Sequence, residues 1–298
     1  MLNVYEQIDA NKRRTAFVMI GFTIFVGSFI YLLGYILETG PEIIFLAISL
    51  SFASSIGGYL WGDKIVLSIS KAKPANKNDH YNFYTAAENL AIAAQIPTPK
   101  LYVINSPALN AFATGKNPKN AVVCVTTGLI ENLSKSELEG VVAHEISHIT
   151  NYDILLMTIV AVLVGMITLL SNWVFRTGLR PSRGNRKNQN PIMLVLGIIA
   201  LIVTPIAAKL IQLALSRQRE YYADASAAKL TRHPQGLIEA LKKLQSQNQP
   251  LKSASPATSH LYITNPLKSS TGKANNWTKM FSTHPPTRDR ISALEKML

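Results

Sequence analysis

Residues 134–148 read SKSELEGVVAHEISH, and the spacing inside this stretch specifies both a helix and the chemistry it carries. Ser134 and Glu137 stand three apart. At that spacing a serine side chain accepts from a first-turn N–H while the glutamate reaches back to the serine's own N–H. A helix therefore starts after Ser134, and its apolar positions carry it to about Tyr152. On that helix His144 and His148 lie one turn apart, so both imidazoles face one side and are able to bind one ion. Neutral imidazole suits zinc. Glu145 leaves the helix about 100° further round, beside such an ion rather than on it. A carboxylate placed there suits a base for water.

A catalytic zinc takes three protein ligands and keeps one position open. The metzincin arrangement requires glycine at 151 and histidine at 154, where this chain has Asn151 and Ile154. The third ligand is then a downstream carboxylate or one of His80, His233, His260 and His284. The segment from Ser216 to Asp224, SRQREYYAD, is the preferred source. Glu220 and Asp224 share a helix face there. One is able to ligate while the other accepts a hydrogen bond from the second nitrogen of a ligand histidine, which fixes its tautomer.

Of the 298 residues, 48% are hydrophobic and only 16% charged, where soluble domains average about a quarter charged. A single cysteine, Cys124, excludes an internal disulfide framework. Two charge-free apolar runs, 15–37 and 43–61, are long enough to span a bilayer. Lys12, Arg13 and Arg14 precede the first, and Lys64, Lys71, Lys73 and Lys77 follow the second. The positive-inside rule therefore places both flanks in the cytoplasm. Runs 154–175 and 192–208 are expected to cross as well, on hydrophobic length, although their link carries Arg176, Arg180, Arg183, Arg186 and Lys187. Either way an even number of crossings separates His148 from Glu220, so the two can meet on one side, close beneath the membrane.

The expected organisation is a cytoplasmic N-terminus (1–14), a transmembrane hairpin (15–61), a first cytoplasmic part (62–152), a hydrophobic hairpin (153–208) and a second cytoplasmic part (209–298). Between the spans the pattern is α+β. A helix covers 81–95, strands cover 101–104 and 121–125, and 110–113 is a third candidate strand. Residues 245–276 read as a long polar surface loop, and a short amphipathic helix built on Ile291, Leu294, Met297 and Leu298 closes the chain. The four runs contain no ionisable residue, which argues against a transporter or channel. The formal charge of +13 is scattered over loops and span flanks. It fits attraction to anionic membrane lipid, with no nucleic-acid partner expected.

Taken together, these motifs resemble the HtpX-type integral-membrane zinc metalloproteases of the gluzincin class. The resemblance runs over nearly the whole chain: the N-terminal span pair, PALNAFAT (107–114), TTGLI (126–130), ELEGVVAHEISHI (137–149), SRQREYYADASAAKL (216–230) and THPPTRDRI (283–291). It implies two to four transmembrane helices carrying a cytoplasmic α+β metalloprotease domain, mainly helical with a small sheet. It further implies one Zn²⁺ on His144, His148 and Glu220, with Glu145 catalytic. Asn110 is implied on a substrate-binding edge strand and His284 near the site. An extended substrate would add to that exposed edge through main-chain bonds. His284 or Arg217 is a candidate second donor to the oxyanion, and Asp224 a candidate brace for a ligand histidine. The implied role is cleavage of misfolded or damaged membrane proteins in a bacterial cytoplasmic membrane. The competing reading is a catalytically silent metal-binding membrane chaperone or scaffold, which has no need of Glu145.

Overall fold

The computed structural model describes residues 4–36, 38, 40–178, 216–247, 249–267 and 285–298. The apolar run 192–208, most of the basic link before it, and His284 lie outside the described residues. Helices α1 (Val4–Ile36) and α2 (Glu42–Ile69) are 33 and 28 residues long. Both outrun the apolar stretches that predict them, because nothing stops a helix where its side chains turn polar. Among the described helices α2 is long and apolar enough to cross a membrane, and a bent pair, α5 (Lys135–Thr150) with α6 (Asp153–Gly178), passes the same test jointly. That pair turns through 87°, and α5 is buried in the domain core, so the two do not make one straight span. The elbow falls at Asn151–Tyr152, where Tyr152 adopts a left-handed φ of 59°.

Helices α1, α2 and α6 pack on one another. Thr23 and Ser55 share a hydroxyl hydrogen bond of 2.6 Å between α1 and α2. Along α2, Gly58 and Gly62 face Val162 and Thr158 of α6 so closely that a Cβ at Gly62 would come within 2.8 Å of Thr158. Small residues let helices approach in this way. The outer faces remain apolar: Phe17 is 74% exposed, Ile24 63% and Phe45 78%. The run from Ile154 does not start as a lipid-facing helix. Residues 154–165 are all buried, sheathed by α1, α2 and the sheet, and Thr158 bonds Thr114 and the Gly115 N–H at 2.8 and 3.0 Å.

The sheet has four strands in the order β1-β2-β4-β3: β1 (Lys73–Pro74), β2 (Lys100–Ile104), β3 (Ala111–Gly115) and β4 (Ala121–Thr126). β2 and β4 are parallel, while β3 runs antiparallel to β4. The expected strand at 110–113 is therefore real and forms one edge. Helix α3 (Tyr81–Ala93) ends ahead of Pro97 and Pro99, as expected. It packs on α5, and α5 begins with the reciprocal capping box of Ser134 and Glu137. Helices α4 (Thr127–Asn132), α7 (Arg217–Thr231), α8 (Pro234–Ser246) and α9 (Thr287–Glu295) complete the described domain.

Helices α5 and α8 meet backbone to backbone. A Cβ at Gly140 would lie 2.7 Å from the Leu237 nitrogen. Gly140→Val is expected to cost about 1–3 kcal/mol through this clash, read as a lower thermal midpoint by circular dichroism.

Two expectations are corrected. The polar stretch after Leu244 is not all surface loop: Ala257 to Ile263 are buried, Tyr262 fully, with its ring edge-on to Phe112 at 5.0 Å. Composition hid this, since three apolar residues (261–263) sit in a polar context. At the C-terminus Leu294 is buried, but Met297 and Leu298 are 48% and 73% exposed, beyond the end of α9.

Candidate metal centre

Helix α5 is buried on nearly every face from Glu137 to Ile149, which is why its histidines point into protein rather than solvent. His144, Glu145 and His148 are 1%, 1% and 4% exposed. Helix α7 crosses α5 and brings Glu220, 2% exposed, against them. One ligand atom each from His144, His148 and Glu220 lies within 4.8 Å of the others. The two Nε2 atoms are 3.2 Å apart. Two Zn–N bonds of about 2.05 Å at the tetrahedral angle would set them about 3.3 Å apart. Glu220 oxygens stand 3.9 and 3.7 Å from the same nitrogens.

The other nitrogen of each histidine is braced. His144 Nδ1 lies 2.9 Å from Asp224 and His148 Nδ1 3.0 Å from Asp153, so each Nε2 lone pair is aimed at the shared space. Arg290 of α9, 1% exposed, grips Asp224 through Nε and Nη2 at 2.8 and 2.6 Å and approaches Glu220 at 3.6 Å. Four buried acids (Glu145, Asp153, Glu220, Asp224) face two arginines bonded to them, Arg219 and Arg290. The donor set, two imidazoles and a carboxylate with each imidazole braced by a further carboxylate, fits a metal.

A model of peptidase family M48 matches residues 81–298. The chain belongs to peptidase family M48. Proteins named protease HtpX homolog from Dictyoglomus turgidum and Ligilactobacillus salivarius are 43% and 40% identical to it. These matches cover 98% and 99% of this chain, and 94% and 100% of theirs. A crystal structure of S. mikatae Ste24p aligns with a TM-score of 0.52 at 20% identity, over 98% of this chain and 66% of that longer one. That likeness concerns the fold. The chain is thus an HtpX-type metallopeptidase, a hydrolase of peptide bonds.

Electrostatics in the peptidase are set by burial. Burial first, and then the positive charge of Arg290, push His144 down to about 4. For His148 burial acts in the same sense but is outweighed by the Asp153 hydrogen bond and the charge of Glu220, which raise it to about 9. Glu145 is raised to about 7, by burial first; Glu220 adds to this, while His148 and Arg290 oppose it. Burial alone would raise Asp224, yet the Arg290 guanidinium holds it down at about 2.

Of the expected residues, His144, Glu145, His148, Glu220 and Asp224 come together. Among the described residues the other histidine candidates do not join them: His80 and His233 are outside the core, and buried His260 contacts the Met157 carbonyl at 3.1 Å. Arg217 is a correction. It opens α7 exposed to solvent, and the arginines at the site are Arg219 and Arg290. Asn110 lies at the start of edge strand β3, but that edge is not open. Its side chain donates to the Thr264 carbonyl at 3.0 Å, and the Ile263 N–H donates to the Ala111 carbonyl at 3.0 Å. Asp153, Arg290 and Asn11 were not anticipated. Nothing in local spacing singles them out, although Arg290 sits inside the THPPTRDRI motif.

Proposed function

We propose that the chain is a multi-pass membrane endopeptidase that uses one zinc ion on His144, His148 and Glu220 to cut misfolded or damaged membrane proteins. The observation that carries this is the convergence of those three side chains within 4.8 Å, each histidine braced by a carboxylate. Zinc held there supplies Lewis acidity toward a peptide carbonyl and a water. Glu145 takes the proton of the attacking water and delivers it to the departing amine. Burial raises the proton affinity of its carboxylate above that of an ordinary glutamate, and a silent scaffold has no use for it. Asp224 and Asp153 hold the histidines, and Arg290 fixes Asp224. An extended substrate joins β3 through the Ala111 main chain and the Asn110 side-chain amide, in the place that Ile263 and Thr264 now take. His284 is retained as a candidate oxyanion donor on the resemblance alone.

The membrane assignment rests on the apolar outer faces of α1 and α2, which suit lipid and not water. Early α1, late α2 and early α6 all meet the catalytic domain, which supports a single side for both flanks of the first hairpin. The lysines and arginines there favour the cytoplasm. Lipid and unfolded membrane proteins are then the partners, in a bacterial cell membrane.

Metal analysis of detergent-purified protein, paired with proteolysis of a denatured membrane protein, tests the proposal. Glu220→Ala is expected to lose both zinc and cleavage, and a chelator to lower the melting midpoint of wild type by several degrees, since metal binding is coupled to folding. Full zinc occupancy in Glu220→Ala would reject the ligand set.

A further inference from the structure

Asn11 belongs to α1, the helix that carries the first apolar run, yet it is only 3% exposed. Burying an amide is unfavourable unless its hydrogen bonds are made, and here they lead to two side chains beside the metal centre and to the elbow backbone. Its Nδ2 donates to Asp153 Oδ1 at 2.7 Å and to the Asn151 carbonyl at 3.1 Å. Its Oδ1 accepts from Arg219 Nη1 at 3.1 Å. The other oxygen of that same Asp153 holds His148 Nδ1 at 3.0 Å. The neighbouring Lys12 lies 4.8 Å over the Tyr152 ring, so α1 grips the elbow at two successive residues.

We infer that Asn11 is a positioning residue of the metal centre: helix α1 completes the site by orienting Asp153, and through it His148. A carboxylate bracing a ligand histidine has two oxygens, and it presents one squarely only if the other is fixed. Asn11 fixes the other at 2.7 Å, while Arg219 bonds Asn11 at 3.1 Å and reaches the same Asp153 oxygen from 3.5 Å. Because Asn11 stands one turn before the charge-free run begins, a direct hydrogen-bond chain through Asp153 joins the first apolar helix to a metal ligand. This rests on the zinc reading above.

The test uses the full chain in detergent. Asn11→Leu keeps the shape and removes the amide. Zinc affinity, measured by chelator competition, is expected to fall about tenfold, the lower end for lost partners of ligand histidines, and the visible absorption of the cobalt(II)-substituted protein to change. Thr23→Val breaks the α1–α2 hydroxyl bond on the same helix and should leave both readouts alone. In an Asp153→Asn background the Asn11→Leu loss should largely vanish, since both act through one contact. Asn11→Ala serves the same cycle if the leucine variant does not fold. Wild-type affinity and spectrum in the Asn11 variants, or losses that simply multiply, overturn the inference. If Glu220→Ala also binds like wild type, the fault lies in the zinc reading instead.

A separate observation carries a second inference, which rests on substrate addition at β3. The segment 262–264 already occupies that place. Ile263 N–H donates to the Ala111 carbonyl, its carbonyl accepts from Arg290 Nη1 at 3.1 Å, and Thr264 exchanges hydrogen bonds with the Asn110 amide at 3.0 and 3.4 Å. We propose that this segment is a strap, lying where substrate main chain would lie, that withdraws when substrate binds. Hydrogen exchange of the Glu145→Gln protein with a saturating unstructured peptide tests it. Exchange in 261–265 should rise several-fold while 109–115 stays protected. Unchanged or slowed exchange in 261–265, with the peptide bound, overturns the strap. Failure of any peptide to bind counts against the β3 reading itself.

Discussion

Glu145→Gln is expected to slow peptide hydrolysis by about 10²–10⁴-fold, the usual contribution of a positioned acid–base group, while the protein keeps its zinc. Glutamine preserves the size and hydrogen-bonding reach of the side chain but cannot carry a proton between water and amine. Glu145 is not among the three converging ligand groups. Its burial, 1% exposed, raises its proton affinity above that of an ordinary glutamate. Turnover on a denatured membrane protein, beside zinc content, separates the two roles. Equal cleavage by variant and wild type would remove Glu145 from the mechanism, and loss of zinc would recast it as a ligand.

Arg290→Met is expected to be the most destabilising single change near the site. Methionine fills a similar length of space without charge. It leaves Asp224, otherwise held at about 2 by the guanidinium, and Glu220, 3.6 Å from Arg290, buried with less positive charge around them. Removing one partner from a buried ion pair costs about 3–5 kcal/mol, which for a chain of this size lowers the melting midpoint by roughly 10 °C. The bond to the Ile263 carbonyl is lost too, loosening the segment over β3. Thermal unfolding followed at fixed zinc concentration checks this. A midpoint within about 2 °C of wild type, a shift corresponding to under 1 kcal/mol, would mean Arg290 is less buried or less paired in solution.

The metal ligands were legible because their information is local. His144, Glu145 and His148 fall on one helix whose start is written in Ser134 and Glu137, and Glu220 with Asp224 repeats the same one-turn logic on α7. The groups behind them were not legible. Asp153 lies five residues beyond His148, but across an elbow whose direction no periodicity encodes. Arg290 and Asn11 reach the site from the two ends of the chain. Hydropathy placed α1, α2 and α6 well yet missed that α6 begins inside the domain, since an apolar helix reads alike whether lipid or protein surrounds it. Residues 257–263 show the converse, a buried strip disguised by polar neighbours.

The elbow at Tyr152 carries a consequence for access. Suppose α6 runs along the bilayer normal. The 87° turn then lays α5 nearly parallel to the membrane plane, and both histidines share one depth, set below the lipid by the buried first turns of α6. For a membrane-protein substrate, as proposed above, a stretch must then leave the lipid and extend before it can meet both histidines.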